Sequence, residues 1–247
     1  MTDGSPDGSP TVFHITHYKA GSQWVQAILR GCAEDDLVRA KAGVRQFLEE
    51  PIQAGKIYSS VYVTREQFES VNLPSDSRHF VVIRDLRDTV VSGYFSLKVS
   101  HGKFAADSVS GIRHDLQHKD LEDGLIQTID QWLNVNARIQ QSWIDAGEPV
   151  IHYEDLLEND VEILERVLID ECQYPISRPR LRRVVETRRF ERMSKGRPRG
   201  QEDVSAHLRK GVAGDWRNYF SEPVKEAFKE RWGELLVRTG YEKDLDW

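Results

Sequence analysis

Apolar residues along this chain alternate between short continuous runs and stretches in which they return every three or four positions. Residues 11–16 (Thr-Val-Phe-His-Ile-Thr) have strand composition, and Trp24, Val25, Ile28, Leu29 and Cys32 then recur at helical spacing. The pattern predicts a strand, a tight turn and a helix. A second strand is predicted over 56–63. A third covers 80–83 (Phe-Val-Val-Ile), an unbroken apolar run that suits a parallel strand covered on both faces. A helix is expected to start from Asp88 as its N-cap, carrying Val91, Tyr94, Phe95 and Lys98. One long helix is predicted over 122–146, with Leu125, Ile129, Trp132, Leu133, Ile139 and Trp143 as its apolar stripe. Residues 150–153 read as a further strand, and Val161, Leu164, Val167 and Leu168 mark the helix after it. Ser221 and Pro223 open a last helix in the N-cap and first-turn pattern, continued by Val224, Phe228, Trp232, Leu235 and Leu236.

Strands alternating with helices imply an α/β fold, a P-loop-like parallel sheet with helices on both faces. The 247 residues suit a single domain. Residues 1–10 mix Gly, Ser, Pro and Asp without apolar periodicity, so they are expected to form a disordered tail ahead of a domain at 11–247.

Composition narrows the partners. A net charge of −6 argues against nucleic acid, whose binding draws most of its free energy from Lys and Arg set against phosphates. No apolar run is long enough to cross a bilayer and no leader precedes the first strand, so a soluble, cytoplasmic protein without a membrane partner is expected. Cys32 and Cys172 make no disulfide framework and read as buried thiols. Between 178 and 199 ten basic residues meet only Glu186 and Glu191. That local field either gathers an anion or forms a solvated helix face.

The candidate chemistry starts at the first turn, Thr16-His17-Tyr18-Lys19-Ala20-Gly21-Ser22-Gln23-Trp24. A strand-to-helix turn presents helix N–H groups that lack intrahelical partners and carry partial positive charge, which suits an anion. Gly21 lets the backbone wrap oxygen atoms, Ser22 and Gln23 add donors, and Lys19 adds a full charge. The lysine precedes the glycine, unlike the nucleotide-kinase turn GxxxxGK[ST]. After the third strand, Arg84 brings a planar guanidinium to the strand end and Ser92 a hydroxyl to the next helix, a pair suited to phosphate oxygens. Near the C-terminus Arg209, Lys210 and Gly211 place two adjacent cations beside a glycine.

These segments resemble the cofactor-binding signatures of the PAPS-dependent sulfotransferase family. The first turn is similar to the 5′-phosphosulfate loop TYPKSGTTW, matching at Thr16, Lys19, Gly21 and Trp24. The stretch from Arg84 to Tyr94 resembles RxPxDxxVSxY, with Leu86 where proline is common. The stretch from Arg209 to Phe220 matches RKGxxGDWxNxF over its whole length. The resemblance implies an enzyme that moves the sulfuryl group of 3′-phosphoadenosine 5′-phosphosulfate (PAPS) onto a hydroxyl or amine of a small-molecule acceptor, in line and without metal. It also implies that Lys19 acts at the leaving oxygen and that residues Lys19 to Trp24 hold the phosphosulfate, with Trp24 bordering the adenine. Arg84, Ser92, Arg209, Lys210 and Gly211 are then 3′-phosphate ligands, and Tyr153 and Phe190, in segments similar to FYEDM and SFxxM, border the purine. Asp215, Trp216 and Phe220 are expected to anchor the last loop. The competing readings are a nucleotide-dependent kinase of related fold and a nucleotide-binding protein without catalysis.

One element departs from the family. The histidine of its KTHLP phrase, the usual catalytic base, is replaced by Ser60. A proton acceptor contributes two to four orders of magnitude in rate. The candidates are His101, His17 and Glu66, with His114 and His118 less suited. The polar segment 100–123 is expected to be a mobile loop at the acceptor pocket.

Overall fold

The computed structural model describes residues 8–39, 46–100 and 107–247. Strand β1 (Val12–Thr16) leads through the first turn into α1 (Ser22–Cys32). The short α2 (Gln46–Glu49) precedes β2 (Ile57–Val61), and α3 (Arg65–Glu69) precedes β3 (Arg78–Ile83). Helix α4 (Leu86–Phe95) runs into a π-helical turn, Ser96–Ser100, and is followed by α5 (Asp107–Gln117), α6 (Leu121–Gln131) and α7 (Leu133–Asp145). After β4 (Val150–His152) come α8 (Tyr153–Glu158), α9 (Asp160–Glu165) with its π-helical extension Arg166–Glu171, α10 (Arg178–Thr187) and α11 (Phe190–Met193). A 3-10 turn at Asp215–Asn218 and α12 (Glu222–Arg238) complete the order.

Among the described residues the sheet is parallel throughout, in the order β2-β1-β3-β4. Alternation along β1 divides the core. Val12 joins α1, α9 and α10 on one face, and Phe13 and Ile15 join Tyr58, Val81, Ile83 and Trp143 on the other. Large side chains such as Phe13, Ile15 and Trp143 are fully buried, each worth about 1.5–3 kcal/mol of transfer free energy. A third cluster packs α4, α6 and α12 together beside the sheet. The parallel order brings the carboxyl ends of β1 and β3 side by side, so the first turn and the Arg84 segment leave the sheet at one edge.

Several elements differ from the pattern-based expectation. Helix α4 starts at Leu86, and its N-cap is Asp85, whose carboxylate accepts the Arg87 N–H at 2.8 Å. Asp88, expected at the cap, sits in the first turn with its side chain buried. The expected long helix is two, interrupted at Trp132 (φ −115°), whose indole packs against α4 at Gly93. The same apolar stripe thus serves two helix directions. Of the loop expected over 100–123, residues 107–117 form α5, with Leu116 fully buried in the cluster of α4 and α6, and residues 101–106 lie outside the described residues. Tyr153 begins α8 and is not part of β4. Cys32 and Cys172 are free and buried, as expected. Of the tail expected over 1–10, residues 1–7 lie outside the described residues.

Candidate active site

The end of β1 is tied to β3 by side chains before the turn begins. Thr16 Oγ1 donates to the Val82 carbonyl at 2.9 Å. His17 is fully buried: Nδ1 donates to the Tyr18 carbonyl (3.0 Å), and Nε2 accepts the Arg84 N–H (3.1 Å) and faces the Gln140 amide at 2.8 Å. Burial pushes its pKa down to about 4, so the ring stays neutral. His17 is therefore a clamp between two strand ends, and neither nitrogen is left to take a proton from an acceptor.

The turn itself uses two left-handed residues, Lys19 (φ 67°) and Gly21 (φ 78°), to aim its backbone inward. Gly21 is the N-cap of α1, and no side chain caps that helix. A Cβ at Gly21 would lie 2.5 Å from the Tyr153 ring, so only glycine allows this approach. Lys19 Nζ donates to Ser96 Oγ at 3.2 Å. Burial, then repulsion from Arg84 and Arg209, lowers the Lys19 pKa to about 8. Arg84 and Arg209 belong to the other two predicted segments.

Arg84 makes the junction. Its Nη1 donates to the Lys19 carbonyl (3.0 Å) and its Nη2 to the Val212 carbonyl (3.5 Å), while its guanidinium lies 4.8 Å over the Tyr153 ring. One buried side chain therefore joins the first turn to a loop 128 residues downstream. Asp88, 3.5 Å from Arg84, accepts the backbone N–H groups of Gly214 (2.7 Å) and Trp216 (2.9 Å). Its work is to anchor that loop, which explains its burial.

Within the loop, Asp215 accepts from Arg209 Nη2 (2.5 Å), Lys210 Nζ (2.6 Å) and Asn218 Nδ2 (2.8 Å). Burial opposes the charged carboxylate, but the bonds from Lys210, Asn218 and Arg209 outweigh it and hold Asp215 below its usual range. Of the three predicted 3′-phosphate cations, Arg209 and Lys210 are thus already paired with Asp215, and Arg84 faces Asp88. Phe190 closes directly against Gly211 (φ 71°), leaving no room for a Cβ there. Trp24 meets Tyr153 edge to face at 6.3 Å. The three predicted purine neighbours therefore line the same region as the cations, and Ser92 stands half-buried on α4 one turn before Ser96.

This arrangement suits a nucleotide carrying two separated anionic groups. Arg84 Nε and Arg209 Nε are buried with no protein acceptor among the described residues, and Lys19 has only a hydroxyl partner. No group of side chains able to hold a metal ion occurs among the described residues.

At the end of β2, Ser60 adopts φ 59°, its N–H donates to His14 Nδ1 (3.3 Å), and its hydroxyl reaches the Ser22 carbonyl (3.4 Å). Beside it, Tyr62 donates its hydroxyl to Ser22 Oγ (2.9 Å) and stacks on Tyr18 at 4.3 Å. Glu66 is exposed on α3, and His114 on α5 and His118 in the turn after it form an exposed pair with ring centroids 5.1 Å apart. His101 lies outside the described residues. Sequence reasoning missed Ser96, Tyr62 and the loop-anchoring Asp88. Only Ser96 carried a local signal, its four-residue spacing from Ser92. A cavity of about 610 Å³ opens between α1 and residues 193–208, beginning at Gln23 and flanked by Arg30 and Lys195.

A family model described as "Sulfotransferase domain" matches residues 9–240. Among curated proteins, the Danio rerio protein named Sulfotransferase 6B1 is 22% identical over 237 residues, spanning 91% of this chain and 78% of that one. A Flaveria bidentis protein named Flavonol sulfotransferase-like is 24% identical over 216 residues, covering 78% and 68%. Among solved structures, mouse sulfotransferase SULT7A1 complexed with PAP aligns with a TM-score of 0.65 at 14% identity over 97% of this chain and 91% of that one. Retinol dehydratase in complex with androsterone and inactive cofactor PAP aligns at 0.56 with 16% identity, covering 92% and 80%. At these identities the structural matches speak for the fold. No helix among the described residues is long and apolar enough to cross a membrane.

Proposed function

Since the chain belongs to the sulfotransferase domain family, we propose that it moves a sulfuryl group from PAPS to a hydroxyl or amine of a small-molecule acceptor, and that the converging cations grip the donor at both anionic ends. The observation that carries this reading is Arg84, which bonds the Lys19 and Val212 carbonyls and so joins the phosphosulfate turn to the Arg209-Lys210-Gly211 loop. The donor supplies an activated sulfuryl group. Lys19 holds an ammonium where charge develops on the departing oxygen, and it favours the transition state more than the ground state because the site is largely shielded from water. Ser22, Gln23 and the uncapped start of α1 orient the phosphosulfate. Arg84, Arg209, Lys210 and Ser92 bind the 3′-phosphate, and Trp24, Tyr153 and Phe190 enclose the adenine.

Binding of the bisphosphate also has a counter-ion to compete with, since Asp215 already holds Arg209 and Lys210. The phosphate joins this network at its open donors, and the carboxylate keeps both cations aimed. Positioning and charge stabilisation supply most of the rate, as in phosphoryl transfer. Thermal-shift titration tests the reading. Adenosine 3′,5′-bisphosphate should raise the melting temperature and ATP with magnesium should not. The opposite result would favour the kinase alternative. Transfer of label from PAPS to any of a panel of phenols, alcohols and amines separates a working enzyme from a protein that only binds nucleotide.

A further inference from the structure

Arg197 lies in the basic run 178–199, outside the cofactor-binding segments, yet its guanidinium makes three bonds to backbone carbonyls around the Arg209-Lys210-Gly211 loop. Its Nη1 donates to the carbonyls of Gln201 (2.6 Å) and Arg209 (2.5 Å), and its Nη2 donates to the Leu208 carbonyl. These acceptors lie at the two ends of one excursion of the chain, so a single side chain closes it. The closure is repeated by backbone bonds from Gly200 N–H to the Lys210 carbonyl and from Asp203 N–H to the Arg209 carbonyl, both 2.9 Å. The guanidinium also lies 5.0 Å over the Phe190 ring, the ring that closes on Gly211. Arg197 is itself held, since Ser194 Oγ donates to its carbonyl at 2.9 Å.

We propose that Arg197 is a positioning residue for donor binding: it fixes the backbone of Leu208 and Arg209 so that Arg209, Lys210 and Gly211 meet the 3′-phosphate already arranged. Arginine suits this task for a physical reason. A planar fork reaches several carbonyls at once in fixed directions, whereas a lysine ammonium is a point charge on a flexible stem. Without the fork, the loop must be ordered at the moment of binding, which weakens affinity. The cost falls on the 3′-phosphate, because the phosphosulfate turn is built on β1 and α1 and has no bond to Arg197. This inference rests on the donor reading proposed above.

The test compares adenosine 3′,5′-bisphosphate with adenosine 5′-monophosphate, which lacks the 3′-phosphate, by calorimetry on the full chain carrying Arg197→Ala or Arg197→Lys. The bisphosphate Kd should rise about tenfold in Arg197→Ala and by an intermediate factor in Arg197→Lys, while the monophosphate Kd changes less than threefold. With PAPS, KM should rise in step while kcat at saturation stays within twofold. If a folded Arg197→Ala variant binds the bisphosphate within twofold of wild type, or weakens toward both nucleotides in equal proportion, the positioning role is overturned. Should Arg197→Ala fail to fold, Arg197→Lys is judged by the same ratio of the two nucleotides. A wild-type protein that shows no preference for the bisphosphate overturns the donor reading itself, an outcome distinct from failure of the Arg197 role alone.

Discussion

The first turn and the Arg209-Lys210-Gly211 loop both present cations to the same region, but they are built in opposite ways. Lys19 sits on a turn braced by a strand and a helix, and among the described residues its ammonium has only the Ser96 hydroxyl as partner, with Arg84 and Arg209 repelling it. Arg209 and Lys210 sit on an irregular loop and share a buried carboxylate, Asp215. The backbone positions the first cation, and side chains position the other two. In the role proposed for Lys19, the lack of a counter-ion among the described residues leaves its field for the reacting centre. Arg209 and Lys210, proposed to hold a fixed phosphate, are aimed by a carboxylate that lowers their mutual repulsion.

The largest effect expected from this contrast is on turnover. Lys19→Ala should lower kcat by about 10³, the scale of removing a preorganised transition-state donor, and change bisphosphate affinity only modestly. Survival of activity within tenfold would remove Lys19 from its role. Next, Asp215→Asn should destabilise the fold by about 3 kcal/mol, because it leaves the largely buried Lys210 without its carboxylate and Arg209 with Glu202 alone. Denaturant unfolding measures this, and saturating bisphosphate should recover part of the loss by supplying anion in its place. A loss as small as that of an exposed ion pair would mean the loop does not depend on Asp215.

Gly211→Ala should weaken bisphosphate binding about tenfold. A left-handed alanine costs about 1–2 kcal/mol, and its Cβ would push Phe190 away. Equilibrium binding at matched stability tests it. The smallest effect is on pH dependence. The Lys19 pKa is depressed to about 8, so the ammonium is present below that value and lost as pH rises through it. The kcat/KM for donor should therefore fall above pH 8, by about tenfold at pH 9. Lys19→Arg should shift that limb upward, because guanidinium keeps its proton. A limb unchanged in Lys19→Arg would assign it to another group.

Much of this site was legible in the chain because its parts are local. Lys19 to Trp24, Arg84 with Ser92, and Arg209 to Phe220 are contiguous phrases whose residue types already suit an anion. Tyr153 and Phe190 were readable only through their resemblance to family segments. Asp88 shows where local reading stops: Asp85 and Asp88 are both good N-cap residues, and the choice between them rests on backbone donors 126 and 128 residues away. His17 shows the same limit, since a histidine beside a phosphate turn invites a catalytic role until its two strand-end partners are seen.

By itself, the amino-acid order determined the alternation of strands and helices, the parallel sheet, and which short phrases carry charge suited to an anion, because each depends on neighbours within a few residues. Tertiary structure alone decided that the stripe from Leu125 to Trp143 breaks at Trp132 to pack on α4, that His17 is a clamp, and that Asp88 and Arg197 bond to the backbone of one loop. Those outcomes come from burial and from hydrogen-bond partners far along the chain, and burial is a property of the assembled core that no local pattern contains.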